Sequence, residues 1–197
     1  ITFVSLNNSY LKKHLSKKII FKSLKVSRAI FAIQQLNKII LSTNNMNFEK
    51  IAHNIKKAEN GIYYSKSESS ISYPEEGNEN CMQIEQDSFW FDHRNNIIAN
   101  SVQKYSPNEI FFDIGGGNGF VAKRLQDDGI KTILVEPGKM GVINAYKRGV
   151  KNVLCSTLED AEFEHNSIDA VGLFDVVEHI EDDYSFLNNI NKYMKDD

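Results

Sequence analysis

Short apolar runs alternate with stretches of helical periodicity over the second half of the chain. The apolar runs lie at residues 110–114, 132–135, 153–154 and 170–174. Between them, apolar residues recur every three or four positions, which predicts helices at 120–127, 139–147 and 182–194. Continuous apolar strands separated by helices are typical of parallel strands that are covered on both faces. The pattern therefore predicts a doubly wound α/β domain over residues 107–197.

The segment before this domain has a different pattern. Residues 47–60 carry apolar positions three or four apart and Gly61 supplies a stop, so we predict a helix there. Residues 65–80 are rich in Ser, Asn, Pro and Gly, which indicates a loop. Aromatic residues at 89–91 lead into a second predicted helix. We therefore expect residues 46–106 to form a helical lid region beside the sheet.

Charge is distributed unevenly along the chain. Residues 1–48 contain eight basic residues and no acid, whereas the remainder carries 15 basic and 26 acidic residues, a balance of −11. An acidic body repels a phosphate backbone, so we expect no nucleic-acid partner.

The basic residues 1–45 have three interpretations. Ile, Lys, Asn, Ser, Leu and Phe dominate them and Met46 opens a segment of ordinary composition, which favours an upstream stretch without function. Apolar residues at helical spacing between positions 30 and 41 favour an amphipathic arm for a membrane surface. A targeting peptide is the third interpretation, although arginine is nearly absent and a secretory apolar core is missing.

Overall composition narrows the class of protein further. With 197 residues, 41% of them hydrophobic, the chain can bury one sizeable core. No apolar run reaches the roughly 18 residues that a membrane span requires. Cys81 and Cys155 lie far apart without a CxxC or Cys/His pairing, so neither a disulfide framework nor a zinc site is expected. A reducing cytoplasm fits this composition.

Candidate chemistry begins where the first predicted strand ends, in the segment DIGGGNG at residues 113–119. Alternate glycines allow a tight strand-to-helix turn and let a ligand approach the main chain. The N-terminus of the next helix offers free N–H groups that suit a carboxylate, and Asn118 can cap this helix. Because a purely structural turn uses the same glycines, the neighbouring acids decide the interpretation.

Two acids flank this turn at informative positions. Asp113 lies two residues before the first glycine, where it can receive the ammonium group of an amino-acid ligand. Glu136 ends the second predicted strand, where a doubly wound site accepts hydrogen bonds from two ribose hydroxyls. Together the acids indicate a nucleoside joined to an amino acid. The rival ligand is a nicotinamide dinucleotide, but its motif is GxGxxG and Asp113 would oppose its pyrophosphate.

Residues 110–191 resemble the class I S-adenosylmethionine-dependent methyltransferases, in particular small-molecule enzymes similar to the ubiquinone-biosynthesis methyltransferases. The segment FFDIGGGNG at 111–119 resembles their first motif, and LVEP at 134–137 resembles their ribose-binding motif. Residues 167–180 resemble their SFDxV strand and EH turn. The resemblance implies a Rossmann-like fold, S-adenosylmethionine as the methyl donor and a small-molecule acceptor, whose identity these motifs leave open.

The resemblance also implies roles for individual residues. The implied cofactor-binding residues are Asp113, Gly115 and Gly117 at the methionine part, Glu136 at the ribose, Pro137 and Gly138 beside the adenine, and Phe174 and Asp175 beside the sulfonium. Thr157 and Leu158 stand where the family has an acid followed by a small residue against the adenine. Because Thr157 replaces the usual Asp, we expect the backbone N–H of Leu158 to serve there. Core packing is the alternative role for Phe174.

Glu178 and His179 have three interpretations. His179 can act as the base that removes a proton from an acceptor hydroxyl, since methyl transfer needs alignment and, for an alcohol or phenol, deprotonation. Asp175, Glu178 and His179 also form a DxxEH pattern, and some relatives use ExxEH to hold a divalent ion. Glu178 and His179 can equally serve to shape the turn before Glu181.

Side chains before the sheet are candidates to cover the cofactor. The rings of Trp90 and Phe91 would favour its sulfonium charge, and Arg94 would meet its carboxylate. Packing within a helix is the alternative for the rings. We therefore expect a methyltransferase of small molecules with an N-terminal helical lid. The alternatives are a cofactor-binding but inactive partner subunit and an NAD-binding Rossmann protein.

The number of predicted strands leads to a final expectation. The sheet of the family that the chain resembles usually has more strands than the four identified here, so we expect it to be incomplete on its C-terminal side. Residues 170–174 would then form an open apolar edge, which favours aggregation. On this interpretation the 197-residue chain associates and transfers no methyl group, while its cofactor-binding residues are retained.

Overall fold

The structure of the protein is a computed structural model that describes residues 48–66, 85, 88–106 and 109–196. The chain divides into two units, Ile1–Met46 and Asn47–Asp197, and the description below concerns the second unit. The interpretations of residues 1–45 and most of the predicted loop at 65–80 lie outside the described residues.

One mixed sheet organises the described part of the chain. Its strands are β1 (Ile55–Lys57), β2 (Tyr63–Ser65), β3 (Phe111–Ile114), β4 (Thr132–Val135), β5 (Val153–Cys155) and β6 (Ala170–Gly172). They are ordered β1-β2-β5-β4-β3-β6, and every neighbouring pair is parallel except the hairpin of β1 and β2. The four predicted apolar runs are the strands β3 to β6, so the predicted doubly wound α/β fold is confirmed.

Helices precede, connect or follow the strands β3 to β6. They are α1 (Phe89–Tyr105), α2 (Phe120–Asp127), α3 (Lys139–Lys147) and α4 (Asp183–Tyr193), with short 3-10 turns at Phe48–Lys50 and Val177–His179. Helices α2 and α3 have the predicted bounds and return the chain so that the next strand runs parallel. Within the described ranges, no helix is long and apolar enough to cross a membrane.

Apolar side chains bury the sheet. Every residue of β3 and β4 is buried, as expected for strands that are covered on both faces. One apolar cluster packs α3 against β4 and β5 through Val142, Ala145, Leu134 and Val153. A second cluster packs α1 and α2 against β3 and β6. The core therefore fixes the strand ends from which the candidate site residues project.

The predicted helix over residues 47–60 is wrong. Only Phe48–Lys50 is helical, as a 3-10 turn, and Ile55–Lys57 forms the outer strand of the hairpin. Tyr63 in β2 then pairs with Leu154 in β5, which adds the hairpin to the parallel sheet. Pairing with the edge of β5 favours a strand here, although the local spacing of apolar residues favours a helix. The local sequence does not show this, because strand pairing depends on a partner far away in sequence. In the described part of the expected helical lid region, the α-helical residues are therefore Glu85 and those of α1.

Strand β6 lies at one end of the sheet and is shorter than the predicted run at 170–174. The segment leading into it is paired, because Ile168 forms a parallel bridge with Met194 just after α4. The Lys195 N–H also donates a hydrogen bond to the Ile168 carbonyl at 3.0 Å. Residues after α4 therefore run beside the approach to β6.

Candidate functional site

A cavity of about 340 Å³ opens at the carboxyl ends of β3, β4 and β6. Ligands of open α/β sheets bind at this edge of the strands, and the volume suits a small molecule. Most of the residues singled out in the sequence line the cavity: Arg94, Asp113, Gly115, Gly117, Glu136, Pro137, Phe174, Asp175 and His179, with Phe91 beside them. The fold thus brings together residues that lie far apart along the chain.

The glycine loop, residues 115–119, has the backbone conformation that the sequence predicted. Gly115, Gly117 and Gly119 all have positive φ, a region that side chains disfavour. A Cβ atom at Gly119 would lie 2.6 Å from the Ala145 Cβ of α3, so this glycine also permits close packing of that helix. The expected cap by Asn118 is wrong, because its side-chain oxygen accepts a hydrogen bond from Asn144 instead.

Glu136 joins the end of β4 to the glycine loop. Its Oε2 accepts a hydrogen bond from the Gly117 N–H at 2.9 Å, and its Oε1 accepts one from the Gly138 N–H at 2.6 Å. Burial raises the pKa of Glu136, and the two backbone N–H groups oppose that shift. Each carboxylate oxygen keeps a further lone pair, so the side chain can still accept hydrogen bonds from ribose hydroxyls.

Asp113 lies at the floor of the cavity beneath Gly116. Its side chain is fully buried, and neither oxygen has a hydrogen-bond partner in the described part of the chain. Burial first, and then the nearby Glu136 charge, raise the pKa of Asp113 to about 7, although Ala122 N–H and Arg94 oppose the shift. The Ala122 N–H lowers the pKa of this carboxyl, although it does not form a hydrogen bond of good geometry with either oxygen. A cationic ligand group would stabilise such an orphaned carboxylate.

Arg94 and Asp175 face each other at the cavity. Arg94 Nη2 donates to Asp175 Oδ2 at 2.5 Å, which ties α1 to the loop that follows β6. The Arg94 side chain is 17% exposed and that of Asp175 is 60% exposed. Asp175 has a φ of +56°, an uncommon conformation that is typical of functional loops. The two residues expected at the cofactor therefore contact each other directly.

The aromatic residues of α1 divide between the cavity and its surroundings. The Phe91 ring lines the cavity and packs edge-on against Phe120, with ring centroids 6.2 Å apart. Trp90 is 61% exposed and does not line the cavity, although the Arg94 guanidinium lies 5.9 Å from its ring. The Phe174 ring lines the cavity and also stacks on Phe111, so its position combines site and core packing.

His179 and its neighbours lie on the 3-10 turn Val177–His179. His179 lines the cavity, whereas Glu178 is exposed and does not line it. Across the residues that the structure describes, no group of three or more His, Cys, Asp or Glu side chains is placed to hold a metal ion. The divalent-ion interpretation of Asp175, Glu178 and His179 therefore gains no support from the geometry.

Thr157 and Leu158 lie outside the cavity lining. The Thr157 hydroxyl donates to the Asp160 carboxylate at 2.9 Å and accepts from the Asp160 N–H at 3.0 Å. The Leu158 side chain is 1% exposed and belongs to the core. The hydrogen bonds of Thr157 thus stabilise the turn after β5, which is a common role for this residue type.

One polar pair near the cavity was missed by the sequence interpretation. Glu85 lines the cavity, and its Oε2 accepts from Arg148 Nη2 at 3.2 Å. The two residues lie 63 positions apart. The only local signal was a basic residue at the end of a predicted helix, where cations are generally favourable.

The sheet and its cavity define a Rossmann-like domain with a candidate ligand site, and comparisons with known proteins show what this domain is similar to. Residues 112–197 match the family model described as a methyltransferase domain. This part of the chain is therefore similar to methyltransferase domains, and its fold is that of the class I S-adenosylmethionine-dependent methyltransferases. No curated protein matches the chain.

Solved structures include similar folds. A proposed S-adenosyl-L-methionine-dependent methyltransferase from Methanococcus maripaludis is 18% identical with a TM-score of 0.55, over 66% of this chain and 64% of that one. A methyltransferase from Thermotoga maritima is 24% identical with a TM-score of 0.48, over 61% and 55% of the two chains. One from Bacteroides fragilis, in complex with S-adenosyl-L-homocysteine, is 18% identical with a TM-score of 0.41, over 51% and 43%. The chain thus spans less than two thirds of each of these proteins.

Proposed function

We propose that the protein transfers the methyl group of S-adenosylmethionine to a small-molecule acceptor. The observation that carries this proposal is the pair of buried acids, Asp113 and Glu136, which end adjacent strands on either side of the glycine loop. One acid suits an ammonium group and the other suits two ribose hydroxyls, and the cofactor carries both groups.

The residues of the cavity fit this cofactor. The Asp113 carboxylate, which has no hydrogen-bond partner among the described residues, would gain one in the ammonium group of the cofactor. Glu136 is held by two backbone N–H groups, so its orientation is set before any ligand binds. Arg94 would move from Asp175 to the carboxylate of the cofactor, since a guanidinium binds a carboxylate strongly. Pro137 lines the same cavity, where it would border the adenine.

Catalysis at this site would depend mainly on alignment. When bound, S-adenosylmethionine supplies a methyl group that leaves sulfur as the lone pair of the acceptor forms the new bond. Phe91 and Phe174 line the cavity and would exclude water from the reacting atoms. His179 would take the proton that an alcohol or phenol loses, because its imidazole lines the cavity.

The acceptor is proposed to be small and not a nucleic acid. The cavity volume of about 340 Å³ lies at the low end of ligand sites, which leaves little space for a macromolecular group. Among the described residues that line it, four are acids, namely Glu85, Asp113, Glu136 and Asp175, and one is an arginine, Arg94. This excess of acids disfavours a polyanionic acceptor.

Isothermal titration calorimetry tests the cofactor, with NADH as the comparison ligand. We expect the 197-residue chain to bind S-adenosylmethionine and S-adenosylhomocysteine and not NADH. Transfer is then measured with methyl-labelled cofactor and mixtures of small hydroxyl and amine acceptors, using the protein as its gene encodes it. Binding of NADH in place of the sulfonium compound, or cofactor binding without transfer to any acceptor, would contradict the proposal.

A further inference from the structure

Helix α3 holds the glycine loop through buried polar contacts. Asn118, between Gly117 and Gly119, is 2% exposed, and its side-chain oxygen accepts a hydrogen bond from Asn144 Nδ2 at 3.0 Å. Its backbone carbonyl accepts one from Arg148 Nε at 3.1 Å. Asn144 and Arg148 are four residues apart and share one side of the helix end. The same helix therefore fixes both the side chain and the backbone of Asn118.

Arg148 is itself held in place by two further contacts. Its Nη2 donates to Glu85 Oε2 at 3.2 Å, and its guanidinium lies 4.6 Å from the centre of the Phe120 ring. The side chains of Arg148 and Glu85 are only 14% and 16% exposed. Glu85 lines the cavity, whereas Arg148 is not among the residues that line it. Arg148 thus connects an acid of the cavity wall to the backbone of the glycine loop.

The orientation of one peptide group depends on this connection. The carbonyl of the Asn118–Gly119 peptide points to Arg148, and its N–H, on Gly119, donates to the Gly116 carbonyl at 2.9 Å. The N–H of this peptide is therefore held by the glycine loop itself, and its carbonyl is held by Arg148. The apolar contacts between Gly119 and α3 fix the distance between helix and loop, but only the directional hydrogen bonds fix the rotation of the peptide.

We propose that Arg148 is a positioning residue for the cofactor. By holding the Asn118 carbonyl and the Glu85 carboxylate, it keeps the glycine loop in the shape that binds S-adenosylmethionine. The identity of the ligand rests on the function proposed above, whereas the ordering of the loop rests on the contacts of Arg148 alone. Burial raises the pKa of Glu85 and lowers that of Arg148, and the charge of each residue opposes the pKa shift of the other.

The test compares Arg148→Met with Arg124→Met in the full chain. Arg124 is a matched control, because it pairs with Asp128 on the exposed side of α2 and is 41% exposed. Two properties are measured: the Kd for S-adenosylhomocysteine and S-adenosylmethionine by calorimetry, and amide hydrogen exchange at Gly117 and Gly119. Arg148→Met should weaken binding of both ligands about tenfold and should accelerate exchange at both glycines, while Arg124→Met changes neither.

Two further variants separate positioning from general destabilisation. Arg148→Lys should recover part of the affinity, because it keeps the charge opposite Glu85 but lacks the planar fork. It also serves as the readout if the methionine variant does not fold. Asn144→Ala should weaken binding too, and its effect should not add to that of Arg148→Met, since both residues act through Asn118.

Several outcomes would overturn the proposal. Wild-type affinity in Arg148→Met, unchanged exchange at Gly117 and Gly119, or an equal loss of affinity in Arg124→Met each exclude positioning by Arg148. Tighter binding of S-adenosylmethionine without a change for S-adenosylhomocysteine would mean that Arg148 acts through its charge and not through loop shape. If the wild-type chain binds neither ligand, the proposed function fails, and the exchange rates alone then decide whether Arg148 orders the loop.

Discussion

Glu136 is the residue whose two carboxylate oxygens contact both sides of the candidate cofactor site. Its hydrogen bonds to Gly117 and Gly138 order the backbone around the cavity, and each of its oxygens keeps a lone pair that a ribose hydroxyl could use. We predict that Glu136→Ala weakens S-adenosylmethionine binding by about 1–3 kcal/mol, through loss of charge-assisted hydrogen bonds, without unfolding the domain. Calorimetry measures the affinity, and circular dichroism measures the fold.

The matched control for this variant is Glu181→Ala, because Glu181 is exposed and does not line the cavity. It should bind S-adenosylmethionine as the wild type does. If Glu136→Ala binds equally well, the ribose assignment is wrong.

Asp113 makes the stability of the protein depend on pH. The pKa of its carboxyl is raised from 3.8 to about 7 in the folded state, so the native protein binds the extra proton between these values. The free energy of unfolding therefore falls as pH rises from about 4 to about 7, by about 4 kcal/mol, and stays low above that range. We predict that Asp113→Asn, which has no charge to bury, loses most of this dependence.

Urea unfolding at pH 5 and pH 8 measures this effect. The raised pKa of Glu136 also makes the free energy of unfolding fall as pH rises, so a smaller fall should remain in Asp113→Asn. Asp182→Asn is the control, because hydrogen bonds from Ser185 lower the pKa of Asp182 and place its titration below this pH window. An equal difference between pH 5 and pH 8 in Asp113→Asn and the wild type would refute the assignment.

At the scale of elements, the glycine loop and α3 pack so closely that one glycine cannot be replaced. Gly119 has a φ of +72°, and an added Cβ would meet the Ala145 Cβ at 2.6 Å and the Val150 Cγ2 at 2.8 Å. We predict that Gly119→Ala lowers the free energy of unfolding by about 3 kcal/mol, since backbone strain and overpacking act together. Urea denaturation measures the loss.

Gly129 provides the control for packing alone. It also has a positive φ, of +84°, but an added Cβ would meet nothing within 4 Å. Gly129→Ala should therefore cost only the strain, about 1 kcal/mol. Equal losses in the two variants would mean that the contact between the loop and α3 contributes nothing.

Elements that pack against neighbours close in sequence were predicted correctly, whereas the hairpin, which pairs with a distant strand, was not. Helices α2 and α3 have the predicted bounds, because their apolar periodicity faces a core built by the adjacent strands. The hairpin of β1 and β2 was not predicted, because its pairing with β5 joins residues about 90 positions apart. No pattern within residues 47–60 contains that information.

For the whole molecule, residues 47–197 form a unit of their own whose sheet contains both the hairpin and the parallel strands. We predict that a chain beginning at Met46 keeps the melting temperature and the cofactor affinity of the 197-residue chain, because Asn47–Asp197 is a compact unit of its own. Differential scanning calorimetry and ligand titration compare the two chains. A large fall in melting temperature would show that the basic segment stabilises the core.

Local sequence signals were sufficient to predict most of the residues that gather at the strand ends. A glycine run and the acids Asp113 and Glu136 are local signals, because backbone freedom and charge belong to the residue type at its position along a strand. Only the tertiary structure decided what each group contacts. It paired Arg94 with Asp175, turned Asn118 toward Asn144, and set Thr157 outside the cavity. These outcomes depend on side chains that meet across distant elements, and sequence spacing along one element does not encode such distances.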